Sequence, residues 1–173
     1  ECKIIDDADE KDSHNKKKWL AFIRPDRRDT YIYQDEKSYY NDYRESLFGF
    51  TCKKKGWDCM RHYEILANGC IPLVRNLDGC PKNTMTHFPK QIVKEAMKEL
   101  LSDELRQTMI NNNKYDQVQD NSFTFDPIIL EKYNQYRVKL LNHVRENLTT
   151  SAMVKYILNN FCYDKNNKNL NIL

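Results

Sequence analysis

The chain has 173 residues and a formal net charge of +3, from 28 lysines and arginines against 25 aspartates and glutamates. This length suits one domain with a single sizeable core, and the net charge is too small to indicate nucleic acid or an anionic membrane as a partner by itself. Since no run of about eighteen apolar residues occurs, we expect no membrane-spanning helix.

The first predicted elements are short strands separated by polar segments. We predict strands at Cys2–Asp6, Trp19–Arg24 and Tyr31–Tyr33. An acidic cluster follows the first of them, and its members are Asp6, Asp7, Asp9, Glu10 and Asp12. Carboxylates in such a cluster can hold a divalent metal, but a solvated turn is the commoner outcome. We therefore expect no metal site.

The middle of the chain alternates between helix and strand signals. Apolar and aromatic residues recur at helical spacing in two segments, and short runs of branched and aromatic residues follow each of them. The predicted elements, in order, are a helix at Asp35–Glu45, a strand at Ser46–Cys52, a basic turn at Lys53–Gly56, a helix at Trp57–Asn68 that ends at Gly69, and a strand at Cys70–Val74.

The remainder of the chain is predicted to be helical. Helices are expected at Phe88–Leu101, from Ser102, from Asp126-Pro127 onwards, and from Thr149 or Thr150 to Phe161. The strand–helix order before them predicts an α/β fold, a Rossmann-like parallel sheet flanked by helices, with a helical C-terminal third. We expect one domain over residues 1–163 and a polar tail over residues 164–173.

The cysteines bear on the compartment. None of the six forms a Cys-x-x-Cys pair, so buried free thiols are the expected state. A Cys70–Cys80 or Cys59–Cys80 bridge would instead need an oxidising compartment. The sequence starts at Glu1 without a visible signal peptide, which suggests a fragment of a longer chain and favours a cytoplasmic over a secretory location.

The basic turn is the first candidate for a ligand site. It joins a predicted strand to a predicted helix, and ligands of such sheets bind outside the carboxyl ends of the strands. Free N–H groups at a helix N-terminus attract anions, Gly56 permits close backbone approach, and the three lysines from Lys53 to Lys55 add positive charge. The turn could therefore cradle a diphosphate, although a solvated lysine turn has the same composition.

The helix that follows has two contrasting faces. At 100° per residue one face is apolar and is predicted to enter the core, and it carries Cys59, Met60, Tyr63, Leu66, Ala67 and Cys70. The opposite face carries Trp57, Arg61, Glu64 and Asn68. Arg61 could neutralise phosphate, Glu64 could accept hydrogen bonds from ribose hydroxyls, and Trp57 could stack on a ring. An exposed helix with an Arg–Glu pair is the alternative.

The segment from Gly56 to Val74, which reads GWDCMRHYEILANGCIPLV, resembles the signature of exostosin-type glycosyltransferases. That signature has a strand beginning with serine, here Ser46, a glycine-containing loop, Arg-x-x-Glu-Ala-Leu and then a Gly-Cys-x-Pro-Val strand. Ile65 replaces the alanine of that pattern. The close likeness covers about thirty residues, and a looser likeness covers most of the chain.

The resemblance implies a GT-B donor-binding domain, one of two facing Rossmann-like domains. It implies that Arg61 contacts the diphosphate of a nucleotide sugar, that Glu64 contacts the ribose, and that Lys55, Gly56 and Trp57 shape the site. The donor would be UDP-linked, no metal cofactor would be needed, and a glycan or protein would be the acceptor. The acceptor-binding domain would lie outside these 173 residues.

The catalytic base is not predicted. His62 and His87 have suitable chemistry, but a lone histidine is more often structural. Two other functions stay open beside sugar transfer: a nucleotide-sugar or glycan binding module without turnover, and a polyanion-binding domain built on the lysine-rich turns. The last is the weakest, because the net charge is small.

Overall fold

In a computed structural model of the chain, the structure describes residues 16–103 and 126–162. These residues form a parallel sheet with helices around it. The strands are β1 (Lys18–Leu20), β2 (Ser46–Cys52) and β3 (Ile71–Arg75), and the helices are α1 (Glu36–Arg44), α2 (Met60–Ala67), α3 (Lys90–Leu100), α4 (Pro127–Asn147) and α5 (Thr150–Ile157). Short 3₁₀ turns lie at Arg28–Thr30 and Leu77–Gly79, and a π-helical turn at Leu158–Cys162 follows α5.

The sheet has the order β1-β2-β3, and both neighbouring pairs are parallel. Phe48 of β2 lies opposite Leu20 of β1 on one side and Ile71 of β3 on the other. The first six residues of β2 are buried, as expected for a strand covered on both faces. The predicted α/β class with a parallel sheet and flanking helices is therefore confirmed. The predicted Cys2–Asp6 strand, the helix from Ser102 and the C-terminal tail lie largely or wholly outside the described residues.

Local capping signals set the helix ends. Asp126 accepts a hydrogen bond from the Ile128 amide at 2.8 Å with Pro127 behind it, and Thr149 accepts one from the Ala152 amide at 3.2 Å. At the end of α2, Gly69 has a φ of 63°, a left-handed conformation that glycine adopts without penalty. These predicted ends are confirmed.

Two strand predictions are wrong at the segment after β1. Regular pairing stops at Leu20, and Tyr31–Tyr33 forms no strand. The reason is that side chains satisfy the backbone here: the Asp42 carboxylate accepts from the Phe22 amide at 2.8 Å, and the Thr30 hydroxyl accepts from the Arg24 amide at 2.9 Å. These bonds turn the chain away from the sheet.

Helix α2 begins later than predicted, and a different set of its residues faces the core. It begins at Met60, so Trp57 precedes it, and its buried residues are His62, Ile65 and Leu66. Met60, predicted to be in the core, is 72% exposed, whereas Asn68, predicted on the polar face, is 1% exposed. The close approach of α2 to Gly49 explains this phase, because a Cβ at Gly49 would lie 3.0 Å from the Ile65 side chain.

The amino ends of the strands are fastened by a buried lysine. Lys16 is 7% exposed, and its ammonium donates to the Ser46 carbonyl at 2.8 Å and to the Gly69 carbonyl at 3.1 Å. The Tyr133 hydroxyl of α4 donates to the same Gly69 carbonyl at 2.5 Å. This fastening lies at the edge of the sheet opposite the loops that carry the candidate site.

Candidate functional site

The carboxyl ends of the three parallel strands place three loops at one edge of the sheet. Cationic side chains gather at the end of β2. Burial raises the pKa of the Cys52 thiol there, and the positive charges of Arg75, Lys54 and Arg61 oppose that rise. Arg75 also forms an ion pair with Asp26 at 3.3 Å. The edge is therefore rich in positive charge.

Arg61 lies in the first turn of α2 and contacts the loop that follows β1. Its Nη2 donates to the Tyr31 hydroxyl at 2.7 Å, and its guanidinium carbon lies 5.4 Å from the centre of the Tyr31 ring. The Nε atom is buried and has no hydrogen-bond partner among the described residues. A guanidinium has five N–H donors in a planar arrangement, so Arg61 could bind an anionic ligand besides the Tyr31 hydroxyl.

Glu64 lies one turn further along α2 and faces the same loop. Its Oε2 accepts a hydrogen bond from the Tyr39 hydroxyl at 2.8 Å, and the Tyr43 hydroxyl donates to that of Tyr39 at 3.2 Å. Burial raises the pKa of Tyr39 to about 12; the hydrogen bond with Tyr43 opposes this rise and the one with Glu64 adds to it. Tyr39 therefore stays protonated at neutral pH and holds the carboxylate in place.

Glu64 also lines a cavity of about 360 Å³ beside the start of α1. Four tyrosines form much of its wall: Tyr31, Tyr33, Tyr39 and Tyr40. The rings of Tyr39 and Tyr40 are tilted by 44° with their centres 5.4 Å apart. Aromatic walls with a few polar groups are typical of small-molecule sites. The structure thus brings Glu64 into a cavity and Arg61 to its rim at Tyr31.

Lys55, Gly56 and Trp57 belong to the connection between β2 and α2 and do not line this cavity. Lys55 and Gly56 are exposed, and a Cβ at Gly56 would meet nothing within 4 Å. Trp57 is half-buried against the main core, and the Lys53 ammonium lies 5.2 Å from the centre of its ring. The fold itself therefore does not require glycine at position 56, and Trp57 packs more than the sequence suggested.

Both candidate histidines have structural contacts. His62 is fully buried, with Nδ1 at 2.9 Å from the Thr51 hydroxyl and Nε2 at 2.8 Å from the Trp57 carbonyl. A carbonyl can only accept, so Nε2 carries a proton. The His87 ring packs edge-on against Tyr156, with the ring centres 4.7 Å apart. These contacts agree with the structural alternative considered for each histidine.

The described cysteines are free thiols, and the described acidic and histidine side chains form no metal site. Cys52, Cys59, Cys70 and Cys80 are free, and among them Cys70 alone is buried. Within residues 16–103 and 126–162, no group of three or more His, Cys, Asp or Glu side chains has an arrangement that could hold a metal ion. The acidic cluster at residues 6–12 lies outside this part of the chain. None of the described helices combines the length and apolar character needed to cross a bilayer.

The sequence did not single out most of the cavity wall. The sequence pattern predicts Asp35 and Glu36 only as the start of a helix, and the tyrosines only as residues of a strand or a helix face. The density of tyrosine between residues 31 and 43 was the available signal, since aromatic residues at this frequency outside the core often mark a binding surface. The sequence does not show that this segment contacts α2.

Comparisons of the chain with protein-family models, with curated proteins and with solved structures gave no match. A function can therefore be inferred only from the site itself, which is a tyrosine-lined cavity that holds Glu64, with Arg61 at its rim and a cation-rich sheet edge beside it.

Proposed function

We propose that this domain binds a nucleoside diphosphate sugar and is the donor-binding half of a GT-B glycosyltransferase that passes the sugar to a glycan or protein acceptor. The observation that carries the proposal is the placement of Glu64 in the cavity wall with Arg61 one turn away at its rim. A carboxylate for ribose and a cation for phosphate, held three residues apart on one helix, match the two halves of such a ligand.

In this proposal the diphosphate lies over the carboxyl edge of the sheet. Arg61 would turn from the Tyr31 hydroxyl to the phosphate oxygens, and the lysines up to Lys55 would contribute positive charge with little steric hindrance at Gly56. Trp57, which packs against the main core, would support this turn. Charge stabilisation of the leaving diphosphate by these cations would serve catalysis without a metal.

Glu64 would hold the ribose. Its Oε2 is already bonded to Tyr39, and Oε1 makes no hydrogen bond with the described residues, so it is available to accept from a ribose hydroxyl. The tyrosine rings would pack on the nucleoside. The catalytic base and the acceptor site would come from a second domain, as the likeness to GT-B enzymes implies.

The test is isothermal titration calorimetry with UDP on three proteins. The unchanged chain should bind UDP, Glu64→Ala should abolish measurable binding, and Glu131→Ala, an exposed carboxylate on α4, should bind as the unchanged chain does. Thermal unfolding must show that the Glu64 variant is still folded. Equal UDP affinity in the Glu64 variant and its control would refute the proposal.

A thermal-shift screen over nucleotides and nucleotide sugars would identify the donor. A ligand of micromolar affinity at millimolar concentration should stabilise the folded state by about 4 kcal/mol if it binds only that state. The tyrosine-lined cavity also suits a binding module without turnover, which is the second candidate. Transfer and donor-hydrolysis assays separate the two, because a binding module would bind the nucleotide sugar and leave it intact.

A further inference from the structure

The wall of the tyrosine-lined cavity carries only negative charge. Three of its lining residues are carboxylates, Asp35, Glu36 and Glu64, and no lysine, arginine or histidine lines it. The cations of this edge lie outside: Arg61 packs on the Tyr31 ring at the rim, and Lys54 and Arg75 lie around the end of β2. The charged side chains are therefore negative in the cavity wall and mainly positive at the sheet edge.

Asp35 and Glu36 accept hydrogen bonds from neighbouring side chains of α1. Asp35 accepts hydrogen bonds from the Ser38 amide at 2.8 Å and the Ser38 hydroxyl at 2.7 Å, and these bonds lower its pKa. The first of these bonds also occupies the N-terminus of α1, where a phosphate would otherwise find free N–H groups. Burial raises the pKa of Tyr40 to about 12 and a hydrogen bond with Glu36 adds to the rise, so Tyr40 remains a donor to that carboxylate.

We propose, resting on the function proposed above, that this cavity accepts a ribose with free hydroxyls and rejects a ribose that carries a phosphate, with Asp35 and Glu36 as the specificity-determining residues. Hydroxyl groups can donate to carboxylates, whereas an ionised phosphate, like a carboxylate, can only accept. A phosphate on the ribose would therefore gain no hydrogen bond from these groups and would meet their like charge.

The experiment compares two probes that differ by one phosphate: uridine 5′-monophosphate and uridine 3′,5′-bisphosphate. Calorimetry on the unchanged chain should give at least about tenfold weaker binding for the bisphosphate, which corresponds to about 1.4 kcal/mol. The double variant Asp35→Asn, Glu36→Gln keeps the capping side chain and similar volumes, because asparagine caps helices as well as aspartate does. It should remove most of the difference between the two uridine probes, and thermal unfolding should show that the variant is folded.

The outcomes separate this inference from the proposed function. Binding of UDP together with equal affinities for the two uridine probes, or a tighter bisphosphate, overturns the inference and leaves nucleotide binding standing. A penalty for the bisphosphate that persists in the double variant also overturns the roles given to Asp35 and Glu36. Failure of UDP to bind overturns both proposals. A weaker bisphosphate whose affinity recovers in the double variant supports the inference.

Discussion

Replacing Gly49 by alanine tests how closely α2 packs on the sheet. Gly49 lies in the middle of β2, opposite Pro72 of β3. A Cβ built at this position would lie 3.0 Å from both Cγ1 and Cγ2 of Ile65 and 3.1 Å from its Cδ1. Three carbon contacts well inside the usual separation of about 3.5–4.0 Å must be relieved by movement of α2 or of the Ile65 side chain.

The size of the effect follows from two opposing contributions. Overpacking a dense core costs about 1–3 kcal/mol, whereas loss of glycine's freedom in the unfolded chain stabilises by about 0.4–1 kcal/mol. We expect a net loss of roughly 1–2 kcal/mol, or a fall in Tm of roughly 2–8 °C for a domain of this size. Because α2 also carries Arg61 and Glu64, a shift of this helix should weaken UDP binding as well.

Urea denaturation and thermal unfolding of the unchanged chain and four variants test this expectation. Gly56→Ala is the matched control, since a Cβ there meets nothing within 4 Å, and it should leave stability unchanged or raise it by up to about 1 kcal/mol. Ile65→Ala alone should cost about 2–5 kcal/mol, but combining it with Gly49→Ala should cost less than the sum, because the clash is gone. A Gly49 variant as stable as the unchanged chain, or strictly additive losses in the double variant, would refute the close packing.

Three further changes test other contacts. Lys16→Met should destabilise the chain by about 1–3 kcal/mol in urea denaturation, since it removes the ammonium that donates to the Ser46 carbonyl and one of the two donors to the Gly69 carbonyl; unchanged stability would contradict the role given to Lys16. Cys59 should react with iodoacetamide at lower pH than Cys52. Burial opposes a low pKa of Cys59, but hydrogen bonds and the electrostatic effect of His62 lower it, whereas burial raises the pKa of Cys52. Mass spectrometry of alkylated peptides measures both reactions, and alkylation of Cys52 at the lower pH would contradict this prediction. Tyr39→Phe removes the donor to Glu64 and should cost about 1 kcal/mol of stability with a loss of UDP affinity; unaltered UDP affinity in calorimetry would show that this hydrogen bond does not position the carboxylate.

Local signals made much of the fold predictable. The Asp126-Pro127 pair begins α4 and Thr149 caps α5 because a cap depends on a few adjacent residues and not on distant packing. The strand at Ser46–Cys52 was predicted with its observed bounds, since a short run of buried aromatic and branched residues between a helix and a turn has few other structures available to it.

The errors come from contacts between segments that are distant in sequence. Tyr31–Tyr33 has strand composition, yet Asp42 of α1 binds the backbone after β1 and directs that loop away from the sheet. Met60 fits the apolar face of an ideal helix, but the rotation of α2 is set by the contact between Ile65 and Gly49. Periodicity within one segment contains no information about either contact.

The candidate site was likewise predictable only where it depends on residues that are close in sequence. Arg61 and Glu64 could be selected because they share one helix, and their spacing is visible in the sequence. The cavity could not be predicted, because its wall combines the loop after β1, the start of α1 and one residue of α2. Whether a polar stripe faces a cavity or bulk water depends on what packs beside it, and that partner lies some thirty residues earlier in the chain.

Lys16 and Tyr133 both donate to the carbonyl of Gly69, at the end of the sheet away from the loops that follow the strands. Three stretches of chain that are remote in sequence are thereby linked at the end of the sheet opposite the candidate site. Loops at the opposite end can then be exchanged or lengthened with small effect on the tie, as loop-closure entropy grows only slowly with length. New loops could therefore be grafted after the strands without changing the contacts between Lys16, Gly69 and Tyr133.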